Sequence, residues 1–384
     1  VHIDRLSISK DTVSVTGGKY SIFTPFKKAV WKEFMVAPLC KKFSDADISY
    51  ISHTVTKDIP HTHVCDTQKI LHTLGTKRTC AITKKYSIDI DEFFEIPDMV
   101  DWYTTEAGAH TALKYAVGHI VETYSDTRDS LDMDAQGSIA RPASTSKLSP
   151  ALAWGLLSAR QIRQAVQDAY KTVDFADVRF LGKEIPEKYK GIVSFFSELV
   201  WREFYAYLLF HNPKLIDTEF QSRFRGTIHW VPEHIAKERF VAWVQGKTGY
   251  SVVDAAMRQL AQTGWMHNRS RMIVASVLTK NLGVDWRWGQ AYFRAMLIDI
   301  DEASNNGGWQ WGASVGADPK PIRIFNPYTQ AKNYDPDNVY QKKWLGERDF
   351  FFETTPIVEH ALAREEALAR YGLGGIKKES VRDY

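Results

Sequence analysis

The sequence predicts a mostly α-helical fold preceded by a shorter mixed segment, on three observations. From Ser149 onward apolar residues recur at steps of three and four. Glycines at 264 and 283 follow such runs, and the connections between runs are short, which is the pattern of a compact bundle. Residues 1–110 instead alternate strand-like pieces, DTVSVTG and TCAITKKYSIDI, with polar turns.

In chain order, GGKYSIFTPF (17–26) reads as a glycine turn, a short extended run and a proline stop. Residues 126–147 (DTRDSLDMDAQGSIARPASTSK) carry few large apolar side chains and read as a long loop. Ser158 is placed to cap ARQIRQAVQDAYKTV. VSFFSELVWREFYAYLLF (193–210) is a helix whose polar set, Glu198, Trp201, Arg202 and Tyr205, shares one face. Ser251 with Asp254 resembles a capping box opening VVDAAMRQLAQT, which Gly264 closes. MHNRSRMIVASVLTKNLG is a second helix ending at Gly283, and DWRWGQAYFRAMLID a third that stops at an acidic pair. ALAREEALARYGLGGIKKESVRDY is a helix followed by a frayed, charged end.

The totals narrow the function classes. No run of 18 apolar residues occurs, so no membrane span is expected. VHIDRLSISK has neither an initiator Met nor a signal-peptide core, so a cut end is expected. Cys40, Cys65 and Cys80 form a sparse, odd set that suits a reducing intracellular compartment. A net charge of +3 does not mark a nucleic-acid binder, although a balanced total can hide a basic face. There are twelve Trp, nine of them from Trp201 onward, which points to ring stacking or electron transfer in that half; a large aromatic core is the plain alternative. GxxxxGK[ST] and GxSxG are both absent, and HTHVC (61–65) with His72 lacks the second half of a zinc site, so no metal is expected.

Three constellations carry possible chemistry. Asn268, Arg271 and Met272 lie on one face near a helix start. Asp299 and Asp301 sit where the next helix ends, a place the macrodipole disfavours for carboxylates. Arg271 is a plausible partner for Asp299, with Asp301 left to accept from a ligand; an ordinary interhelical ion pair fits the spacing equally well. TSKLS (145–149) offers hydroxyls and a helix start to a phosphate, or simply caps that helix. The Glu198 face can hydrogen-bond and stack a base, or be a solvated, salt-bridged helix side. SNNGGWQWG (304–312) sets two glycines beside two tryptophans, as if something must come close to that backbone.

WREFY (201–205), KTGYSVVDAAMRQLAQTGWMHNRSRM (247–272), DWRWG (285–289), ASNNGGWQW (303–311) and DPKPIRIFNP (318–327) occur in the order found in the photolyase/cryptochrome family, and the chain most resembles the class I cyclobutane pyrimidine dimer photolyases of that family. The resemblance covers roughly residues 115–350, plus GGKYSIFTPF. It implies an all-helical FAD-binding domain over 116–350, preceded by a remnant of an α/β antenna domain (1–30) and a linker with first helices (31–115), and followed by a C-terminal helix and tail (351–384).

The family's residue roles follow by position. Tyr124 and Thr145, Ser146, Lys147, Leu148 and Ser149 resemble the holders of the ribityl–phosphate portion of FAD. Phe195, Arg202, Arg271, Asp299 and Asp301 resemble groups around the isoalloxazine, with Asn305 beside flavin N5. Glu198 resembles the carboxylate that hydrogen-bonds the dimer, and Asn268 a further catalytic group. Arg128, Trp201, Tyr205, Arg269, Met272, Trp311 and Arg323 resemble the lesion pocket and DNA path. Trp309, Trp286 and Trp230 resemble the chain that photoreduces the flavin. The backbone of 305–308 would then approach a flat flavin, with glycine making room.

Three departures from the pattern stand out: Phe195 where Trp is common, Ile300 for the usual Gly between the aspartates, and a longer loop between Tyr124 and Thr145. The implied activity is light-driven dimer splitting in DNA by FADH−, in a monomer without its own antenna chromophore and with a separate antenna fragment as a possible partner. Cytoplasm is the implied compartment in a prokaryote, nucleus or organelle in a eukaryote. A cryptochrome-like blue-light receptor and a single-strand-specific relative are the alternatives.

Overall fold

A computed structural model of the chain describes residues 18–37, 102–138, 142–182, 185–318, 322–347, 350, 355–373 and 382–383. DTVSVTG, TCAITKKYSIDI, HTHVC and the three cysteines lie outside the described residues. Fifteen α-helices are found among those residues, and the only sheet among them is a parallel pairing of Arg323–Ile324 with Arg382–Asp383.

Helix α1 (Phe23–Val36) starts where a proline stop was expected. Pro25 falls in its first turn, where the missing N–H would have no intrahelical partner and the fixed φ suits a helix. Phe26, Val30, Trp31 and Phe34 of α1 are fully buried, and the Trp31 indole donates to the Phe175 carbonyl at 2.8 Å. Helix α2 (Glu106–His119) is capped by the Thr105 side chain. After the short α3 (Tyr124–Thr127) comes α4 (Leu131–Gln136), inside the stretch expected to be loop. The Ser130 hydroxyl accepts from Met133 N–H and Leu131 is fully buried, so one cap and one core residue suffice to fold a polar segment.

Helix α5 (Ser149–Trp154) leads through Gly155 to α6 (Ala159–Ala169), where Ser158 and Gln161 form the reciprocal capping box. Helix α7 (Lys190–His211) runs 22 residues through the middle of the fold and packs against α1, α3, α6 and the later helix α12. Helix α8 (Glu233–Val244) precedes α9 (Ser251–Thr263), which Gly264 ends in the left-handed region. Ser251 and Asp254 do not form the expected capping box. Asp254 reaches back instead, accepting from Thr248 N–H, the Thr248 hydroxyl and Gly249 N–H, so it ties the preceding turn to the helix.

Helix α10 (Asn268–Ser276) continues as a π-helical turn (Val277–Asn281) to Gly283. Helices α11 (Trp286–Met296) and α12 (Glu302–Gly312) follow, then α13 (Pro327–Tyr334), α14 (Val339–Leu345) and α15 (His360–Arg370). Among the described residues two large apolar cores result, with a small cluster of Trp102, Trp265 and Ile298 beside them. One gathers α1, α2 and α5–α7; the other gathers α8–α12 with α15. Among the described residues no helix is long and apolar enough to cross a membrane.

Candidate functional site on helices α7, α10 and α12

Helix α12 is the shared wall. Asp301 is its N-cap and accepts from Ser304 N–H at 2.8 Å. The expectation that both aspartates sit at a helix C-terminus is therefore corrected: Asp301 opens a helix, where the macrodipole favours it, and Asp299 lies in the connection before it. Arg271 of α10 meets Asp299 at 2.7 Å, as its position suggested, and its Nε donates to the Met266 carbonyl. The other Asp299 oxygen, Oδ1, is buried with no hydrogen-bond partner in the protein.

The polar face of α7 is distributed among three neighbours. Glu198 contacts Arg128, which follows α3. Trp201 stacks on Phe23 of α1, with ring centroids 3.5 Å apart. Arg202 approaches Asp301 at 3.9 Å. Tyr205 lies against Gly307, where an added Cβ would come within 2.1 Å of its ring. The glycine at 307 thus makes room for a tyrosine, while Gly308 is exposed with open space beside it. Enclosure raises the Glu198 carboxyl above its usual range, while Arg128 and, more weakly, Lys27 pull it back; 36% of each partner's side chain stays open. Burial, with Glu198 adding to it, pushes the Tyr124 and Tyr205 phenols up, so both stay neutral donors. The Tyr124 ring meets Phe195 edge-on at 5.3 Å.

TSKLS wraps Trp265 of the WMHN stretch. The Ser149 hydroxyl accepts from its indole N–H at 3.2 Å, and Lys147 Nζ sits 4.9 Å from the ring centroid. Lys147 adopts a positive φ of 49° and pairs with Asp134 at 3.2 Å, so its ammonium is already committed inside the protein. Thr145 Oγ1 is buried without a partner, and Leu148 is buried.

Asn305 Nδ2 donates to the Gln290 carbonyl. Asn268 is exposed, with its amide 3.7 Å from Met272 Sδ. Arg269 pairs with Asp129 at 2.7 Å and covers the Tyr334 ring. Arg323 lies over Trp311 and pairs with Asp318. Trp309 is buried among Trp243 and Phe293, with its indole N–H unpartnered. Trp286 is fully buried and directs its N–H toward Glu219 at 3.4 Å, whereas Trp230 is half-buried beside Tyr371.

Several residues of this wall escaped sequence reasoning. Gln290, Asn306 and Gln310 form an amide network that pins α12 to the 215–220 segment. The i, i+4 spacing of Asn306 and Gln310 was the one available signal. Gly289 escaped sequence reasoning too: a Cβ there would meet the Trp309 ring at 2.0 Å.

Residues 195–351 match the family described as "FAD binding domain of DNA photolyase". A Synechococcus deoxyribodipyrimidine photo-lyase is 46% identical over 216 residues, covering 56% of this chain and 42% of that protein. The protein of the same name from Halobacterium salinarum is 35% identical over 288 residues, covering 69% and 57%. Among solved structures, a class III photolyase from Agrobacterium tumefaciens superposes with a TM-score of 0.66 at 29% identity, covering 96% of this chain and 71% of that one. A Synechocystis cryptochrome superposes at 0.57 and 29%, covering 72% and 58%. The chain spans about half the length of the curated relatives it matches.

The residues present fit an FAD. Asp299 Oδ1 and Thr145 Oγ1 are buried polar atoms without protein partners, and they lie in the two segments expected to hold the ring system and the phosphates. Arg271 is the cation that would accompany an anionic ring.

Proposed function

We propose that the chain, whose residues 195–351 match the FAD binding domain of DNA photolyase, splits cyclobutane pyrimidine dimers in DNA under blue light. One observation carries this reading. Glu198 and Arg202 are one turn apart on α7, and Arg202 reaches Asp301 at 3.9 Å, so a lesion-facing carboxylate and the acidic cofactor-facing wall are adjacent.

Bound FAD in its reduced form supplies the light-absorbing group and the electron for cleavage. The chain supplies the geometry. Glu198, steadied by Arg128, accepts a hydrogen bond from the edge of a flipped-out pyrimidine pair, and Trp201 offers a face for stacking. Flipping costs a few kcal/mol, less for a poorly stacked lesion, which favours damaged over normal sites. Arg323 over Trp311, and Asn268 beside Met272, are the further residues we assign to the lesion pocket. Arg271 beside Asp299 holds positive charge at the ring position.

The indole series rests on neighbouring backbone rather than on ring-to-ring contact. Trp309 lies on Gly289, Trp286 is one turn earlier on α11, and Gly283 just before it accepts from Val231 N–H, next to half-buried Trp230.

The test is dimer loss from an oligonucleotide under blue light, with the FAD content of each protein measured by absorption. Glu198→Ala is expected to keep its flavin and lose repair at least tenfold. A wild-type protein that binds FAD and DNA but splits no dimer would instead be a receptor. The ratio of repair on single- and double-stranded substrates decides the strand preference.

A further inference from the structure

Phe23 opens α1, and its ring lies parallel to the Trp201 indole, 8° between planes. One turn on, Lys27 Nζ donates to the Ser197 hydroxyl at 2.7 Å, and Ser197 immediately precedes Glu198. Positions 23 and 27 share a helix face. The rest of α1 is anchored by buried Phe26, Val30, Trp31 and Phe34 and by Arg163, which donates to the Phe34 carbonyl at 2.6 Å. These two contacts therefore stand on a packed helix.

We propose that Phe23 and Lys27 are positioning residues of the lesion site: Phe23 fixes the plane of Trp201 and closes one of its faces, and Lys27 keeps a second cation beside the Glu198 carboxylate. The inference rests on the reading of Glu198 and Trp201 given above. A half-buried indole on a helix has several staggered orientations. Stacking on Phe23 selects one before the substrate arrives, so damaged bases meet a prepared face and lose less freedom on binding. Lys27 on α1 and Arg128 after α3 thus act on the carboxylate from different elements.

The experiment measures affinity for matched oligonucleotides with and without one dimer, together with KM and the light yield at saturation. Phe23→Ala and Phe23→Leu should weaken dimer binding by about tenfold, the scale of one aromatic pair, while binding to undamaged DNA, flavin content and saturated yield hold. Phe23→Tyr should restore the dimer preference. Lys27→Met should lower it, and Lys27→Arg keep most of it.

Leu and Tyr both fill the space, so their contrast reads the flat ring even if the Ala variant folds poorly. A Leu variant with the wild-type ratio of dimer to undamaged affinity overturns the inference, as does an equal loss on both DNAs, which would mean a general contact. A wild-type protein with no dimer preference overturns the site reading and the inference together.

Discussion

Asp335 is fully buried, and its oxygens accept from the Tyr340 and Gln341 backbone N–H groups. Burial and the neighbouring Asp132 nonetheless push its carboxyl up to about 7. In the unfolded chain it would titrate near the ordinary 3.8. The folded state therefore binds the extra proton between about pH 4 and 7. Its stability contribution is complete below that window and is lost as pH rises through 7. Asp132→Asn should reverse the loss, because an amide can donate to ionised Asp335 while its oxygen still accepts from Asp337 N–H. Thermal melts of variant and wild type should show the variant gaining stability at pH 8, with the gain shrinking toward pH 5. A constant difference across that range would place the proton elsewhere. Such a carboxyl pair, brought together from residues 132 and 335, has no trace in local spacing. The Arg271–Asp299 pair, by contrast, joins consecutive elements and was open to sequence reasoning.

Glycines act at the scale of elements, and their neighbours decide the sign of a substitution. Gly289 and Gly308 both lie inside helices, where alanine gains up to about 1 kcal/mol of propensity. At Gly289 the new Cβ would meet the rigid, buried Trp309 ring at 2.0 Å, and overpacking of this kind costs about 1–3 kcal/mol, so the clash wins. At Gly308 nothing lies within 4 Å and the propensity gain stands. Denaturant midpoints should thus fall for Gly289→Ala and rise for Gly308→Ala. Only the first should also shift the fluorescence of buried tryptophan. The same contrast explains what the sequence disclosed. Helix periods, the Ser158 capping box and the stops at Gly264 and Gly283 are local and were legible. The start of α1 at a proline, α4 within a polar stretch and the Gln290–Asn306–Gln310 network depend on burial against distant segments, which no window of sequence contains.

Across the whole molecule, the candidate site straddles the junction of two cores. Phe195, Leu148 and Trp201 belong with the core built on α7, while Trp309, Met272 and Trp311 belong with the core built on α10–α12. Beside the amide network that ties α12 to Leu215 and Phe220, polar groups at the site remain open across the junction: Arg202 stands 3.9 Å from Asp301, and Asp299 Oδ1 has no hydrogen-bond partner. A cofactor bridging that seam would complete those bonds and join the cores. A ligand that binds only the folded state at a hundred times its Kd adds about 2.7 kcal/mol, which for a chain of this size is a rise of roughly 3 °C in Tm. Removing the flavin should therefore lower the melting midpoint by a few degrees, and adding FAD back should restore it. Asp299→Asn should shrink the rise, because the neutral amide pairs less well with Arg271 and presents a different group to the ring. If the stripped protein melts at the same temperature as the loaded one, the cofactor does not sit between the cores, and the assignment of Asp299 and Asp301 to its binding falls with it.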